Sequence, residues 1–238
     1  MEKFKLVTPS TSLINQYWTI YNKSDQGEPE DYTVTIFEGV EPVDIREKHY
    51  LTKKNYTHKK DDDKISDCLD EHDIKGFLKK LNAAYSTRAR NLDILAKDCK
   101  WFEQQNKEIK PNMDLDRFVL HCKNDLHMGY YPYSFATKIY SFLAPEKYPI
   151  LDSYSVTLLN EYLKEPGDER NAPRERWGCY KNYQEDYDKF RKKYSLSDDL
   201  TYKQIDVFLW TYATVLSEYW KQMGVLEFKN VEFKPGKK

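Results

Sequence analysis

Apolar residues recur three or four positions apart along most of the chain after residue 64, the spacing that places them on one face of an α-helix. The pattern predicts about seven helices, over these segments: from Ile74 to Tyr85, from Leu92 to Phe102, from Leu115 to Leu126, from Ser134 to Leu143, from Asp152 to the residues before Pro166, over residues 180–194, and from Thr201 to Tyr219. The expected fold class is therefore mainly α.

Residues 1–60 show a different pattern. Ser10, Thr11 and Ser12 can open a short helix that runs through Tyr21. Apolar and polar residues then alternate over residues 32–36, which is typical of a strand. We therefore predict a small, partly β or irregular N-terminal segment over residues 1–60, followed by one helical domain over residues 61–238.

Composition excludes several classes of protein. The 238 residues are 39% apolar with a formal net charge of −1, which is unlike a disordered chain or a uniformly basic nucleic-acid coat protein. The sequence has no apolar run of membrane-spanning length and no secretory signal. Because its four cysteines are widely spaced, we expect reduced thiols and a cytoplasmic protein.

Charge is unevenly distributed even though the total is balanced. Lysines and arginines dominate residues 46–60, and aspartates dominate residues 61–73. Each run can be a solvated loop, or the basic run can face nucleic-acid phosphates while the acidic run faces away. Both interpretations stay open from the sequence.

The sequence lacks the motifs that mark several common enzyme classes. The sequence has no phosphate-binding loop, dinucleotide fingerprint, zincin helix or serine-hydrolase elbow. His121, Cys122 and His127 lie close together, but their spacing matches no standard zinc pattern. We therefore predict neither a metal nor a cofactor.

Residues 128–163 carry the chemically informative pair, Lys138 and Asp152. Lys138 lies at the edge of the apolar face of a predicted helix, where partial desolvation lowers the pKa of an amine and makes it a better nucleophile. Asp152 opens the next helix, fourteen residues later. We expect the two groups to converge on one cavity. The alternatives are a solvated lysine and a simple N-cap, the latter with Leu151 and Val156 as its hydrophobic staple.

The run Ala136-Thr137-Lys138, followed by Tyr148-Pro149-Ile150-Leu151-Asp152-Ser153, resembles the catalytic segment of the helix-hairpin-helix DNA glycosylase superfamily, most closely its 8-oxoguanine-glycosylase-fold branch. Residues 201–212 are similar to the closing helix of compact bacterial members. The sequence departs from the family pattern in two respects: no glycine lies in residues 132–136, and the separation between Lys138 and Asp152 is shorter.

The resemblance implies a helix-hairpin-helix glycosylase fold, with the hairpin region at about residues 128–163, and base flipping from double-stranded DNA. It implies that Lys138 is the nucleophile and that Asp152 stabilises the sugar cation. It further implies phosphate contacts and a base pocket, the expected residues being Ser134, Thr137, Ser153 and Tyr154 for DNA, and Asp206, Phe208 and Trp210 for the base. Phe208 is equally suited to the core.

The resemblance implies an oxidised purine as substrate, and a hypermodified base of phage type, excised in antiviral defence, is a second candidate. Lys138 can form a Schiff base that permits strand cleavage, or Asp152 can activate water and leave an abasic site. An alternative function is a catalytically silent helical module that binds DNA or a protein. RNA is a third candidate substrate. The sequence makes no prediction of the oligomeric state.

Overall fold

The computed structural model describes residues 5–23, 32–45, 58–85, 87, 89–98, 100–105, 108–127, 132–164 and 180–222. The helices within these ranges are α1 (Thr11–Lys23), α2 (His58–Asp70), α3 (Ile74–Ala84), α4 (Leu92–Lys97), α5 (Leu115–Asn124), α6 (Tyr133–Leu143), α7 (Ser153–Leu163), α8 (Tyr180–Lys193) and α9 (Tyr202–Gln222). The strands are β1 (Thr33–Val34), β2 (Val43–Asp44), β3 (Phe102–Gln105) and β4 (Glu108–Pro111). The mainly α fold class is confirmed.

The chain divides into two compact units, and the division differs from the sequence expectation. Unit 1 contains residues 1–57, 152–200 and 204–238, and unit 2 contains residues 58–151 and 201–203. The N-terminal segment therefore groups with the C-terminal helices, although the sequence predicted that it would stand apart from residues 61–238.

Long-range hydrogen bonds explain this grouping in unit 1. The hydroxyl of Tyr212 on α9 donates to the carbonyl oxygen of Ile36 at 2.6 Å and accepts from the amide of Val7 at 3.3 Å. The hydroxyl of Tyr162 on α7 donates to the carbonyl oxygen of Val7 at 3.0 Å. These bonds satisfy buried backbone groups of the N-terminal segment, which would otherwise cost about 1–3 kcal/mol each.

Part of the N-terminal prediction is confirmed. Helix α1 begins where expected, because the hydroxyl of Ser10 accepts a hydrogen bond from the amide of Leu13 at 3.1 Å. The alternating segment contributes β1, which pairs with β2 in an antiparallel register that places Thr33 opposite Asp44. The segment is thus partly helical and partly β.

Unit 2 consists of helices α2 to α6, the hairpin β3–β4 and the first residues of α9. Its core contains large aromatic and aliphatic side chains with no exposed surface, among them Phe77, Leu78, Leu81, Trp101 and Phe118. Helix α3 begins at the cap of Asp73, whose carboxylate accepts from the amide of Gly76 at 2.8 Å. Helix α2 covers the end of the basic run and most of the acidic run, for which the sequence left open a solvated loop or a surface that faces away from phosphates.

The predicted helix from Leu92 to Phe102 is wrong in its second half. Helix α4 ends at Lys97, and the carboxylate of Asp98 then accepts from the amide of Lys100 at 3.2 Å. This local bond competes with helix continuation. The indole of Trp101 donates back to the carbonyl oxygen of Leu95 at 2.9 Å, and Phe102 begins β3 instead of completing a helical stripe.

Most of the basic run over residues 46–60 lies outside the described residues, and so do the first four residues of the predicted hairpin region, 128–131. Among the described residues, no helix has the length and apolar character needed to cross a membrane.

Candidate functional site

Lys138 is buried in unit 2, with 3% of its surface exposed. It lies on the second turn of α6, and its Nζ donates to the hydroxyl of Ser134 at 2.9 Å and to the carbonyl oxygen of Ser134 at 3.2 Å. The same Nζ lies 5.5 Å from the centre of the Tyr85 ring. Because a buried amine is costly unless polar or aromatic groups receive it, these contacts hold the nitrogen in one place.

The Tyr85 ring is itself held by a buried polar network. Tyr85 follows the last turn of α3, and its hydroxyl donates to the carboxylate of Asp62 on α2. Asp62 is 5% exposed, and its second oxygen accepts from Nζ of Lys203 at 3.0 Å. Nζ of Lys203 also lies 5.3 Å from the centre of the Phe142 ring on α6. These contacts therefore link four segments of unit 2: α2, the end of α3, α6 and the start of α9.

Thr137, a predicted phosphate contact, has no exposed surface. Its hydroxyl donates to the carbonyl oxygen of Ser134 at 3.3 Å and accepts from the amide of Leu151 at 3.1 Å. The second bond ties the residue before Asp152 to the residue before Lys138. This placement favours a positioning role for Thr137 over a contact with DNA, because its hydroxyl already donates one hydrogen bond and accepts another within unit 2.

Asp152 is the N-cap of α7 in unit 1. Its backbone is extended and its carboxylate accepts from the amide of Tyr154 at 2.8 Å. The predicted capping role is confirmed, and the side chain keeps part of its surface exposed. A carboxylate fixed in this way has a defined direction, which a catalytic group needs as much as a helix cap does.

Three of the predicted DNA contacts are exposed at helix N-termini. Ser134 lies in the first turn of α6, and Ser153 and Tyr154 open α7. The first backbone amides of a helix point outward and attract anions, so these positions suit phosphate oxygens. Their contact with DNA stays a prediction.

The predicted base-pocket residues have three different environments in unit 1. Phe208 has no exposed surface and its ring stacks on Tyr212 with centroids 5.7 Å apart, so it is a core residue. Asp206 is 3% exposed and its carboxylate accepts from the hydroxyl of Tyr187. Trp210 keeps part of its surface exposed.

Asp206 ends a series of buried hydroxyl groups. The hydroxyl of Tyr183 donates to that of Tyr187 at 3.2 Å, and the latter donates to Asp206. Burial raises the pKa of both tyrosines well above the ordinary value, and the charge of Asp206 raises them further. The two hydroxyls therefore stay protonated and act as hydrogen-bond donors at any physiological pH.

The two catalytic candidates belong to different compact units. Lys138 lies in unit 2. Asp152 lies in unit 1, where it is the first residue of the segment 152–200. Their convergence on one cavity therefore stays a prediction. Sequence reasoning missed Tyr85, Asp62 and Lys203. In the sequence, Tyr85 was marked only by its place on an apolar stripe, and Asp62 only by its place in the acidic run. Lys203 was marked only by its position near a predicted helix start.

His121 makes a second polar cluster in unit 2, beside a surface pocket of about 430 Å³. Its Nδ1 meets the carboxylate of Asp125 at 2.5 Å and its Nε2 meets that of Asp98. Burial lowers the pKa of His121, but the two carboxylates outweigh burial and raise it above the ordinary 6.5. Both ring nitrogens can donate only when the ring is protonated, so the cluster favours the imidazolium form.

The described part of the chain contains no group of three or more histidine, cysteine, aspartate or glutamate side chains arranged to hold a metal ion. Cys68 and Cys122 are buried free thiols, and burial raises the pKa of Cys122 to about 12.

The sequence and the structure were compared with known proteins, and no relative was found. No protein-family model matches the sequence, and searches of the curated proteins and of the solved structures found no match.

Proposed function

We propose that the chain is a cytoplasmic DNA glycosylase with a helix-hairpin-helix glycosylase fold, which flips a modified or damaged base out of duplex DNA and removes it. The observation that carries the proposal is the buried amine of Lys138, held by Ser134 and the Tyr85 ring. Burial favours the neutral, nucleophilic form of an amine over a solvated ammonium. The bond between Thr137 and Leu151 supports it further, because it fixes the chain that leads into Asp152.

In the proposed reaction, Asp152 stabilises the positive charge that develops on the deoxyribose as the N-glycosidic bond breaks. The bonding electron pair leaves with the base, which takes up a proton. The amine of Lys138 shares its lone pair with C1′ and then loses a proton. Opening of the sugar ring moves the C1′–O4′ electron pair and a proton onto O4′, and leaves a protonated imine between C1′ and Nζ.

Loss of a C2′ proton from this imine would expel the 3′ phosphate and cleave the strand. If water reacts with the sugar before Lys138 does, the product is an abasic site and the strand stays intact. The exposed positions Ser134, Ser153 and Tyr154 would hold the phosphates on either side of the flipped nucleotide. The expected substrates are an oxidised purine or a hypermodified base.

The test is borohydride trapping on duplexes that carry oxidised purines or hypermodified pyrimidines, with base release measured in parallel. We expect a covalent protein–DNA complex that disappears in Lys138→Gln. Lys147→Gln is the matched control, because Lys147 is exposed in the loop that follows α6. Equal trapping in wild type and Lys138→Gln would contradict the assignment of the nucleophile.

Asp152 needs a variant that separates catalysis from capping. Asparagine caps a helix about as well as aspartate, so Asp152→Asn keeps the bond to the amide of Tyr154 and removes only the charge. We expect base release to fall by about 100-fold or more while the urea midpoint changes little, in line with the loss of one preorganised electrostatic group. Unchanged base release in Asp152→Asn would leave the carboxylate only its capping role.

The silent binding module is the second candidate, and it is favoured by the structural contacts that both residues make. Asp152 caps α7, and Lys138 bonds back to its own helix. Duplex binding without release of any base in the panel, in wild type, would favour this function. Competition with duplex RNA, and the dependence of affinity on salt, would show which nucleic acid is bound and whether phosphate contacts dominate.

A further inference from the structure

We propose that Tyr85 is a positioning residue that holds Nζ of Lys138 and stabilises the cationic imine formed on it, with Asp62 and Lys203 fixing the orientation of the Tyr85 ring. The proposal rests on the function proposed above, and it adds to that function a set of residues that the sequence did not indicate.

The Tyr85 ring lies beside the amine of Lys138. Nζ of Lys138 lies 5.5 Å from the Tyr85 ring centre, within the distance at which an aromatic face attracts a cation. That attraction is strongest where water is excluded, and Lys138 is 3% exposed. The ring therefore discriminates between a charged and a neutral nitrogen at this position.

The charge of the nitrogen changes during the proposed reaction. The attacking amine is neutral, whereas the imine that accumulates before strand cleavage is protonated. An aromatic face over Nζ therefore stabilises the intermediate more than the attacking form, which is the condition under which binding energy assists a chemical step. The ring affects the fate of the imine more than the departure of the base.

A polar network and an aromatic contact keep the Tyr85 ring in place. The hydroxyl of Tyr85 is anchored on Asp62, and the other oxygen of Asp62 accepts from Lys203 at 3.0 Å. The edge of the Phe142 ring also packs against the Tyr85 ring, with centroids 6.4 Å apart. A buried carboxylate that is bonded on both oxygens has little freedom, so it fixes the hydroxyl and thus the direction of the ring.

The experiment compares the imine with base release in two substitutions of the same residue. Tyr85→Phe keeps the ring and loses the bond to Asp62, and Tyr85→Leu loses the ring. We expect the ratio of trapped complex to released base to fall about tenfold in Tyr85→Leu, equivalent to about 1.4 kcal/mol. In Tyr85→Phe, which keeps the ring but loses its anchor on Asp62, we expect a smaller fall in the ratio, of about threefold.

Tyr148→Leu is the matched control for loss of aromatic packing on α6. The Tyr148 ring packs on Tyr140 of that helix at 5.0 Å between centroids, so its removal perturbs the same element. The control should leave the ratio of trapped complex to released base unchanged. An equal fall in Tyr148→Leu and Tyr85→Leu, or an unchanged ratio in Tyr85→Leu, would overturn the proposal.

A second measurement separates this proposal from the proposed function. Formaldehyde and cyanoborohydride form and reduce an imine on lysine without DNA, and mass spectrometry of peptides reports the yield at Lys138. Relative to the yield at exposed Lys147, methylation of Lys138 should fall about tenfold in Tyr85→Leu and about threefold in Tyr85→Phe. If no duplex is trapped but this pattern holds, the glycosylase assignment fails and the positioning role stands. Equal methylation in both variants, or none at Lys138 in wild type, would overturn the positioning role.

Discussion

The hydroxyl of Tyr212 offers a sharp test of what joins the N-terminal segment to unit 1. Tyr212→Phe removes a donor to Ile36 at 2.6 Å and an acceptor for Val7 at 3.3 Å, and it leaves the ring in place. Tyr212, Val7 and Ile36 are all buried, so water cannot easily replace the lost partner. Each buried backbone group left unsatisfied costs about 1–3 kcal/mol, so the two groups together cost about 2–6 kcal/mol.

Tyr17 supplies the matched control in the same unit. Its ring is as fully buried as that of Tyr212 and lies 6.1 Å from it between centroids. However, its hydroxyl has no hydrogen-bond partner among the described residues. Removing an unsatisfied buried hydroxyl should leave stability unchanged or raise it by about 1 kcal/mol. The two substitutions therefore remove the same atom and are expected to have opposite effects.

Urea unfolding followed by circular dichroism measures the difference. With a slope of about 3 kcal/mol per molar urea, Tyr212→Phe should lower the midpoint by about 0.7–2 M, and Tyr17→Phe should leave it in place or raise it slightly. If both variants lose the same stability, the loss comes from packing of the ring edge and the hydrogen-bond argument fails. If Tyr212→Phe unfolds at the wild-type midpoint, the two backbone bonds contribute nothing.

Three other expectations follow from the structure. The carboxylates of Asp98 and Asp125 raise the pKa of His121 in the folded state. The stabilisation that they give is therefore complete below pH 6.5 and is lost as the pH rises through the folded pKa. When stability is measured against pH, wild type and His121→Gln should differ most on the acidic side. Asp152→Ala should lower stability by about 1 kcal/mol through loss of the cap, which Asp152→Asn should not do, and matched urea curves measure both. Lys203→Met should lower the urea midpoint by more than Lys147→Met, because Lys203 pairs with a buried carboxylate and Lys147 is exposed.

Helix positions were predictable from the sequence wherever local signals agreed. Pro145 and the apolar spacing predicted the helix from Ser134 to Leu143, and α6 is found one residue longer at its start. Asp152 as the cap of the next helix was equally local. The hairpin β3–β4 was not predictable in the same way, because Leu92, Leu95 and Phe102 fit a helical stripe. The competing signals, the Asp98 turn and the indole bond of Trp101, depend on side-chain geometry that spacing does not encode.

The membership of unit 1 was unpredictable for a related reason. Residues 1–60 differ in pattern from the helical part, and a change of pattern suggests a boundary. Yet the contacts that decide this grouping are two hydrogen bonds of Tyr212. One reaches Ile36, which lies 176 positions earlier in the sequence, and the other reaches Val7, which lies 205 positions earlier. Periodicity reports which face of an element is buried, and it carries no information about which distant element covers that face.

The same distinction explains what the sequence revealed about the candidate site. A lysine at the edge of an apolar face is compatible with either burial or solvation, and local spacing cannot decide between them. Lys138 is buried beside Tyr85, whose hydroxyl is bonded to Asp62, and Asp62 in turn is paired with Lys203, 141 residues further along the chain. The residue that we propose as the nucleophile is therefore indicated by a local motif, whereas the residues that set its environment are assembled only by the tertiary fold. It follows that residues 58–151 alone would keep Lys138, Tyr85 and Asp62 but lose the pairing with Lys203, and we expect the Tyr85 ring to be less firmly oriented there.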